Sequence, residues 1–331
     1  MYLAADIGGT KSLVGVFAQD VERPKPIVTR EYVTLDFESL EEIIDLFIDE
    51  TGAADVSAIA LGVAGPVSGL TARMTNVPWL ANASGLGERF DDCPVALLND
   101  LEAMAYAVPV LYPDELAVLQ EGIPVPSGNA ALIAAGTGLG EALLHNVNGV
   151  FIPSPSEGCH ADFAARTPRE LAFVAHMSRV YGRVDVERVV SGLGLTNLFR
   201  FTHGTDDISR ACRVASTGDE ADLPARLTAS AMAHRCEQCV EAFDMFIEAY
   251  GAESGNLALR SVATAGLYIG GGIAPKILPA LETGAFLDAF LDKEPLGDLL
   301  RTIPISVILN SAAGLLGAAV RAAGGNAAMR Q

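Results

Sequence analysis

Two glycine-rich turns in near-identical settings constrain this chain more than any other feature. The first, Asp6-Ile7-Gly8-Gly9-Thr10-Lys11, is entered from the apolar run Tyr2–Ile7 and leaves into another that ends at Ala18. The second, Gly136-Thr137-Gly138-Leu139-Gly140, is entered from Ala131-Leu132-Ile133-Ala134-Ala135 and leaves into Glu141-Ala142-Leu143-Leu144. Each reads strand, tight turn, strand. Glycine permits positive φ and lets backbone approach a ligand closely, and consecutive N–H groups in such a turn form a concave anion site. Either turn alone is also an ordinary hairpin. Repetition sets the pair apart, and so does Asp6, a carboxylate ending an apolar run, poorly placed for packing but well placed to meet a Mg²⁺ shell. Neither turn fits the P-loop pattern and neither is a GxGxxG opening a helix. A P-loop NTPase and a Rossmann dehydrogenase are disfavoured, and two such turns, one per half of the chain, could hold a polyphosphate between two lobes.

The elements around the turns support an internal duplication. Strands are predicted at Tyr2–Ile7, Ser12–Ala18 and Ile27–Leu35. Ser39 caps a helix reaching Asp49, with Leu40, Ile43, Ile44, Phe47 and Ile48 on one face. Val56–Val63 and Val95–Leu98 read as strands, and Asn99-Asp100 opens a helix over Leu101–Val108. Beyond Pro109 the chain turns loop-rich. After the second turn it becomes more helical, with helices expected at Pro168–Tyr181, Val186–Ser191, Leu195–Phe201 and Leu227–Ala249. Gly266–Ile269 leads as a strand into Gly270-Gly271-Gly272-Ile273-Ala274-Pro275, and a helix is expected from Pro275. Ile305–Leu309 reads as a strand and Ala312–Ala323 as a helix returning to the first lobe. The residues past Gly324 are expected to fray. This divides the chain into a small α/β lobe over 1–110 plus the return 303–331, and a larger lobe over 111–302.

Composition narrows the function. Half of the 331 residues are hydrophobic, enough for a large core and about two domains. The net charge of -19, from 41 acidic and 22 basic residues, leaves no basic footprint for nucleic acid and opposes an anionic membrane surface. A phosphorylated ligand on such a chain is met through backbone N–H groups and metal. The sequence enters a strand at Tyr2 instead of a signal peptide, and no apolar run approaches the ~20 residues of a membrane span. A soluble cytoplasmic protein is expected. Of five cysteines, Cys236 and Cys239 form a lone Cys-x-x-Cys inside the apolar-periodic stretch Leu227–Tyr250. With no second pair a structural zinc is not expected. A mid-helix position argues against a thioredoxin-like couple, leaving plain helical cysteines in a reducing compartment.

Two groups of polar residues remain. Asp100 follows a strand at the start of a helix, where it either caps the helix or stands as a general base beyond a strand C-terminus, where ligands gather in parallel sheets. In Ser154-Pro155-Ser156-Glu157-Gly158-Cys159-His160-Ala161-Asp162-Phe163, Glu157 and His160 either converge on one ligand or face solvent. Glu187 alone reads as an ordinary helix glutamate.

Taken in order, Asp6–Thr10, Leu98-Asn99-Asp100, Gly136–Gly140, Ser156–Phe163, Glu187-Arg188-Val189-Val190-Ser191-Gly192 and Gly270–Pro275 resemble the bacterial glucokinase family. Thr75-Asn76-Val77-Pro78-Trp79 and Gly251-Ala252-Glu253-Ser254-Gly255-Asn256-Leu257-Ala258-Leu259 also resemble family segments. The resemblance runs from Leu3 to about Ala319. It implies the two-lobed actin-like ATPase (ribonuclease H-like) α/β fold, with an interlobe cleft closing on glucose and ATP. It implies that Asp100 takes the proton of the sugar 6-hydroxyl, and that Asn99, Asp100, Glu157, His160 and Glu187 hold the sugar. It implies that Asp6, Ile7, Gly8, Gly9 and Thr10 with Gly136, Thr137, Gly138 and Gly140 cradle the phosphates, that Gly270, Gly271 and Gly272 border the adenosine, and that Asp6 holds Mg²⁺ through water. Cys159 departs from the family's usual second glycine, which puts the placement of the sugar loop in question. The zinc-binding cysteine cluster of the related ROK sugar kinases is absent. The expected reaction is ATP-dependent phosphorylation of glucose at the 6-hydroxyl. A kinase for mannose, fructose or an amino sugar, and a non-catalytic hexose sensor, are its rivals. Asp100 and the lack of an N-terminal DNA-binding segment speak against the sensor. A homodimer is compatible with this reading.

Overall fold

The computed structural model describes residues 1–74, 77–205, 212 and 219–324. Thr75 and Asn76 of the family-like segment, and the end expected to fray, lie outside them. The described chain divides into two compact units, one made of Met1–Leu116, Ala142–Pro155 and Asn310–Gln331, the other of Ala117–Glu141 and Ser156–Leu309.

The first unit is built on β1 (Tyr2–Ile7), β2 (Lys11–Ala18), β3 (Lys25–Val33), β4 (Ala58–Val63) and β8 (Val95–Asn99), in the sheet order β3-β2-β1-β4-β8. β1 runs antiparallel to β2 and parallel to β4, and β4 parallel to β8. Strand alternation sends side chains of β1 to two different layers. Leu3, Ala5 and Ile7 pack in one core with Leu40, Ile43, Ile44 and Phe47 of α1 (Leu40–Thr51). Ala4 packs on the other face with Phe17, Ala60 and Leu315, Ala318 and Ala319 of the C-terminal helix Ala313–Ala322. Asp6 shares the register of Ala4, so it points toward that helix. The Ser39 side chain accepts from Glu42 N at 3.2 Å, and Gly52 ends α1 at φ 64°. A small sheet of β5 (Val67–Ser68), β6 (Thr71–Arg73) and β7 (Leu80–Asn82) also belongs to this unit, with α2 (Asp100–Ala107) following β8.

The second sheet contains β9 (Leu116–Gln120), β10 (Ala130–Ala135), β11 (Leu139–Val147), β12 (Val150–Ser156), β13 (Gly266–Gly270) and β14 (Ile305–Ile308), in the order β12-β11-β10-β13-β14-β9. Leaving aside β9 at its edge, this repeats the first sheet: third, second, first, fourth, fifth strand. The duplication read from two turns is therefore a duplication of topology. Helices α3 (Pro168–Tyr181), α4 (Gly192–His203), α5 (Leu223–Met232), α6 (Glu237–Ser261), α7 (Leu278–Leu281), α8 (Ala285–Leu291) and α9 (Gly297–Arg301) accompany it, and Ala313–Ala322 is α10.

Three sequence expectations are corrected here. The stretch Leu227–Ala249 is not one helix but α5 and α6, broken around His234 at φ 49°. Cys236 is consequently the N-cap of α6 and Cys239 sits in its first turn, so the pair is not mid-helix. Val186–Ser191 is a turn, not a helix. One turn forms, closed by Val190 N donating to Val186 O at 2.8 Å, but it is not continued: Glu187 O accepts from the Ser191 hydroxyl at 2.6 Å, Arg188 O accepts from Asn197 Nδ2 at 3.0 Å, and Gly192 N donates to Gly136 O instead.

Candidate active site

Asp6 and Asp100 emerge at the same edge of the first sheet. Asp6 lies opposite Gly62 of β4, and Gly62 opposite Leu98 of β8, all near the strands' C-terminal ends. Two strand spacings put Asp6 about 10 Å from Leu98 across the sheet, and Asp100 is two residues further on. The helix cap is Asn99, not Asp100. Asn99 Oδ1 accepts from Leu101 N at 3.0 Å and Glu102 N at 3.4 Å, while its Nδ2 donates to Gly65 O at 3.3 Å. Asp100 occupies the first helical position, half-buried, where the N-terminal end of α2 favours an anion. Its Oδ1 accepts from Leu101 N at 2.9 Å.

An edge of Asp6 reaches the surface, but its carboxyl is enclosed against α10, and a side chain at Gly314 would collide with it. Burial, then the nearby Asp100 charge, push its pKa from 3.8 up to about 7, against a smaller opposing pull from Lys11. The Gly8-Gly9-Thr10 turn is pinned from below. The Thr34 hydroxyl donates to Gly8 O at 2.8 Å, so its contact with Ser12 Oγ at 2.8 Å has Ser12 as donor. Gly8 N donates to Lys11 O at 3.0 Å, closing the turn at the end of Ile7.

In the second unit, Gly136, Thr137 and Gly138 form the turn and Gly140 lies in β11. Gly136 N donates to Gly138 O at 2.8 Å, and Gly136 O accepts from Gly192 N at 2.9 Å. Glu187 is part of this construction. Its Oε2 accepts from Leu139 N at 2.9 Å, and a Cβ on Gly138 would stand 2.5 Å from that oxygen. Ser191 donates to Glu187 O at 2.6 Å and caps α4 by accepting from Gly194 N at 2.9 Å. Gly270 ends β13, with Gly271 at φ 84° packed so closely on Ala135 O that no side chain fits. Ala134 pairs with Gly270 in parallel register, so the Gly136 turn and Gly270-Gly271-Gly272 leave the sheet side by side.

Backbone bonds tie the sugar-loop candidates to Glu187. Glu187 N donates to Cys159 O at 3.0 Å, and Val186 N to Ala161 O at 3.1 Å. Glu157 and His160 bracket one turn, with His160 Nε2 3.9 Å from Glu157 Oε2 and Nδ1 3.7 Å from Asp185 Oδ2. Both side chains are substantially exposed and so accessible to a ligand. Cys159 points inward, fully buried, its thiol pushed up to about 12 by burial and the surrounding carboxylates Glu187 and Glu141. The thiol substituting for glycine is thus neutral and stored in the interior, and the loop keeps its backbone bonds.

Sequence reasoning missed Asp185 and Glu141. Asp185 is buried, paired with Arg188 at 2.5 Å, and its Oδ2 lies 3.7 Å from His160 Nδ1. Glu141 is buried beneath Gly158, which has no room for a Cβ against Glu141 Oε2. Burial, then Glu253, push its pKa up to about 7, against Arg260. Its signal in the sequence was a charged residue inside the apolar run after the second turn.

The chain is similar to known proteins over nearly its whole length. A family model described as Glucokinase matches residues 3–324. The glucokinase of Nostoc punctiforme is 36% identical over 337 residues, covering 98% of this chain and 99% of that protein. The glucokinase of Synechocystis is 34% identical over 346 residues, covering 97% and 98%. The crystal structure of a glucokinase from an Antarctic psychrotroph superposes with a TM-score of 0.84 at 26% identity, covering 98% of each chain. The fold is the two-lobed actin-like ATPase α/β fold that the repeated strand order implies. Among the described residues, no helix is long and apolar enough to cross a membrane.

Proposed function

This chain belongs to the glucokinase family, and we propose that it transfers the terminal phosphoryl group of ATP to the 6-hydroxyl of glucose, giving glucose 6-phosphate and ADP. The observation that carries the reading is that Asp6 and Asp100 emerge together at the C-terminal edge of the first sheet. Phosphoryl transfer needs positioning and charge stabilisation more than covalent help. Asp100, held by the first turn of α2, orients the 6-hydroxyl and takes its proton as the bond to phosphorus forms. Asn99 holds that turn through its cap and its Nδ2 donates to Gly65 O; in this reading the amide also meets a sugar hydroxyl. Glu157, His160 and Glu187 accept and donate hydrogen bonds to the remaining hydroxyls.

The turns Asp6–Thr10 and Gly136–Gly140 meet phosphoryl oxygens with backbone N–H groups, and Gly270 to Gly272 border the adenosine. The acid set fits a magnesium ion: Asp6 is an enclosed carboxyl beside a second acid, whose ionised form a divalent cation favours. Asp6 would hold Mg²⁺ through water, and the ion would neutralise charge on the phosphates. A cytoplasmic setting, where ATP is made, belongs to the same reading. The test is a coupled assay of the purified protein over glucose, mannose, fructose and glucosamine, with ATP or polyphosphate as donor and with or without Mg²⁺. Turnover highest with glucose, ATP and Mg²⁺ is expected. Absence of phosphorylation of any hexose would refute it.

A further inference from the structure

Four soft donors gather at one end of α4 and the start of α6, within the second unit. His203, Cys212, Cys236 and Cys239 each offer a ligand atom, and these atoms all lie within 4.8 Å of one another. His203 is the last residue of α4, Cys236 caps α6, Cys239 is in its first turn, and Cys212 comes from the chain between α4 and α5. His203 Nε2 is 3.5 Å from Cys236 Sγ and 4.0 Å from Cys239 Sγ. A tetrahedral zinc with Zn–S of about 2.3 Å and Zn–N of about 2.0 Å has N···S edges of roughly 3.6 Å, close to both distances.

The imidazole is also fixed for the task. His203 Nδ1 lies 2.9 Å from Phe199 O, to which only a protonated Nδ1 can donate, so the Nε2 lone pair is left to face the sulfurs. The ring is stacked on Phe199 with centroids 3.9 Å apart, which holds its plane. Metal-bound histidines in proteins are oriented by this kind of backbone partner. A thiol cluster with an unoriented ring would be ordinary helix-end packing; this ring is aimed.

We propose that His203 Nε2 and the Sγ atoms of Cys212, Cys236 and Cys239 form a structural zinc site. Four protein donors leave no open position, so the ion is structural and not catalytic. The three-sulfur, one-nitrogen set is soft and selects zinc over the hard magnesium of the phosphate site. On binding, each thiol releases its proton to solvent and becomes a thiolate ligand, with no change of oxidation state. The ion crosslinks α4, the segment carrying Cys212 and α6. The cysteine pair alone did not predict it, because the other two ligands are distant in sequence and single.

The experiment is metal analysis of untagged protein purified without chelator, with cobalt spectroscopy of the same full-length chain. One zinc per chain is expected, lost on chelation with a lower melting temperature that added Zn²⁺ restores. Co²⁺ added to the stripped protein should give the strong thiolate-to-cobalt charge-transfer bands and visible bands of a tetrahedral site. Cys236→Ser and Cys212→Ser should each lose the zinc while glucose phosphorylation is still measurable. Wild-type protein that takes up neither Zn²⁺ nor Co²⁺ in this way overturns the proposal. So does a Cys236–Cys239 disulfide in the protein as isolated, or zinc retained in both serine variants.

Discussion

Replacing Asp6 by Asn should separate what this residue costs the fold from what it gives the reaction. Asp6 is an acid whose folded pKa, about 7, lies above its ordinary 3.8, mainly through burial and then through Asp100. Its linkage sign is therefore the reverse of a salt-bridged carboxylate. Between those two values the unfolded chain has released the proton and the folded chain still holds it. Stability then falls as pH rises through this window, and levels off above about 7. At about 1.4 kcal/mol per unit the whole window has a ceiling of roughly 4 kcal/mol, of which about 2 falls between pH 5.5 and 7. One edge of Asp6 meets solvent, which reduces that to roughly 1 kcal/mol. Asn fills the same space and does not titrate. Denaturant unfolding of both proteins at pH 5.5 and pH 8 should show Asp6→Asn gaining on wild type by about 1 kcal/mol as pH rises. The same variant should lose most of its Mg²⁺-dependent turnover. A stability difference that is flat with pH, or that moves in favour of wild type at pH 8, would refute the burial argument.

Other substitutions probe the supports of the site. Gly138→Ala places a Cβ 2.5 Å from Glu187 Oε2, displacing the Leu139 N bond. Steady-state kinetics should show the KM for glucose and the KM for ATP rising together, each about tenfold for a lost charged hydrogen bond. A change in the ATP KM alone would detach Glu187 from the sugar. Gly317→Ala drives a methyl of α10 into Ala103 O of α2, so thermal unfolding should show a loss of about 1–3 kcal/mol, with turnover reduced because α2 carries Asp100. A melting temperature equal to wild type would mean that α10 moves freely off α2.

The elements most legible in the sequence were those whose signal is local. Tyr2–Ile7 is legible to its bounds because an apolar run broken only by Asp6 meets Gly8-Gly9. Ser39 was read as a cap because the apolar spacing starts one residue later. The break between α5 and α6 was hidden because buried residues on both sides, Leu227 and Ala231 before it and Cys239 and Phe243 after it, preserve a helical period across a left-handed His234. β9 and the three short strands β5 to β7 are illegible because two to five residues carry too little pattern, and β12 because Pro153 and Pro155 make its end read as loop. In the site, Asn99 and Asp100 are both good caps in succession, and only the fold decides that Asn99 stands at the N-cap and reaches both Leu101 N and Glu102 N, while Asp100 shares only Leu101 N. Glu187 reads as an ordinary helix glutamate because its partner, Leu139 N, is 48 positions away. The cysteine cluster was illegible for the same reason.

The central claim rests on Asp100 as the group that takes the proton of the sugar hydroxyl. Asp100→Asn keeps the shape at the first position of α2 and an oxygen for Leu101 N, but removes the base. Glucose binding by calorimetry and turnover in the coupled assay should be measured on the same preparation. Glucose affinity within a few-fold of wild type, with turnover lowered about 10²-fold or more, is the predicted result. Turnover within a few-fold of wild type would contradict the account.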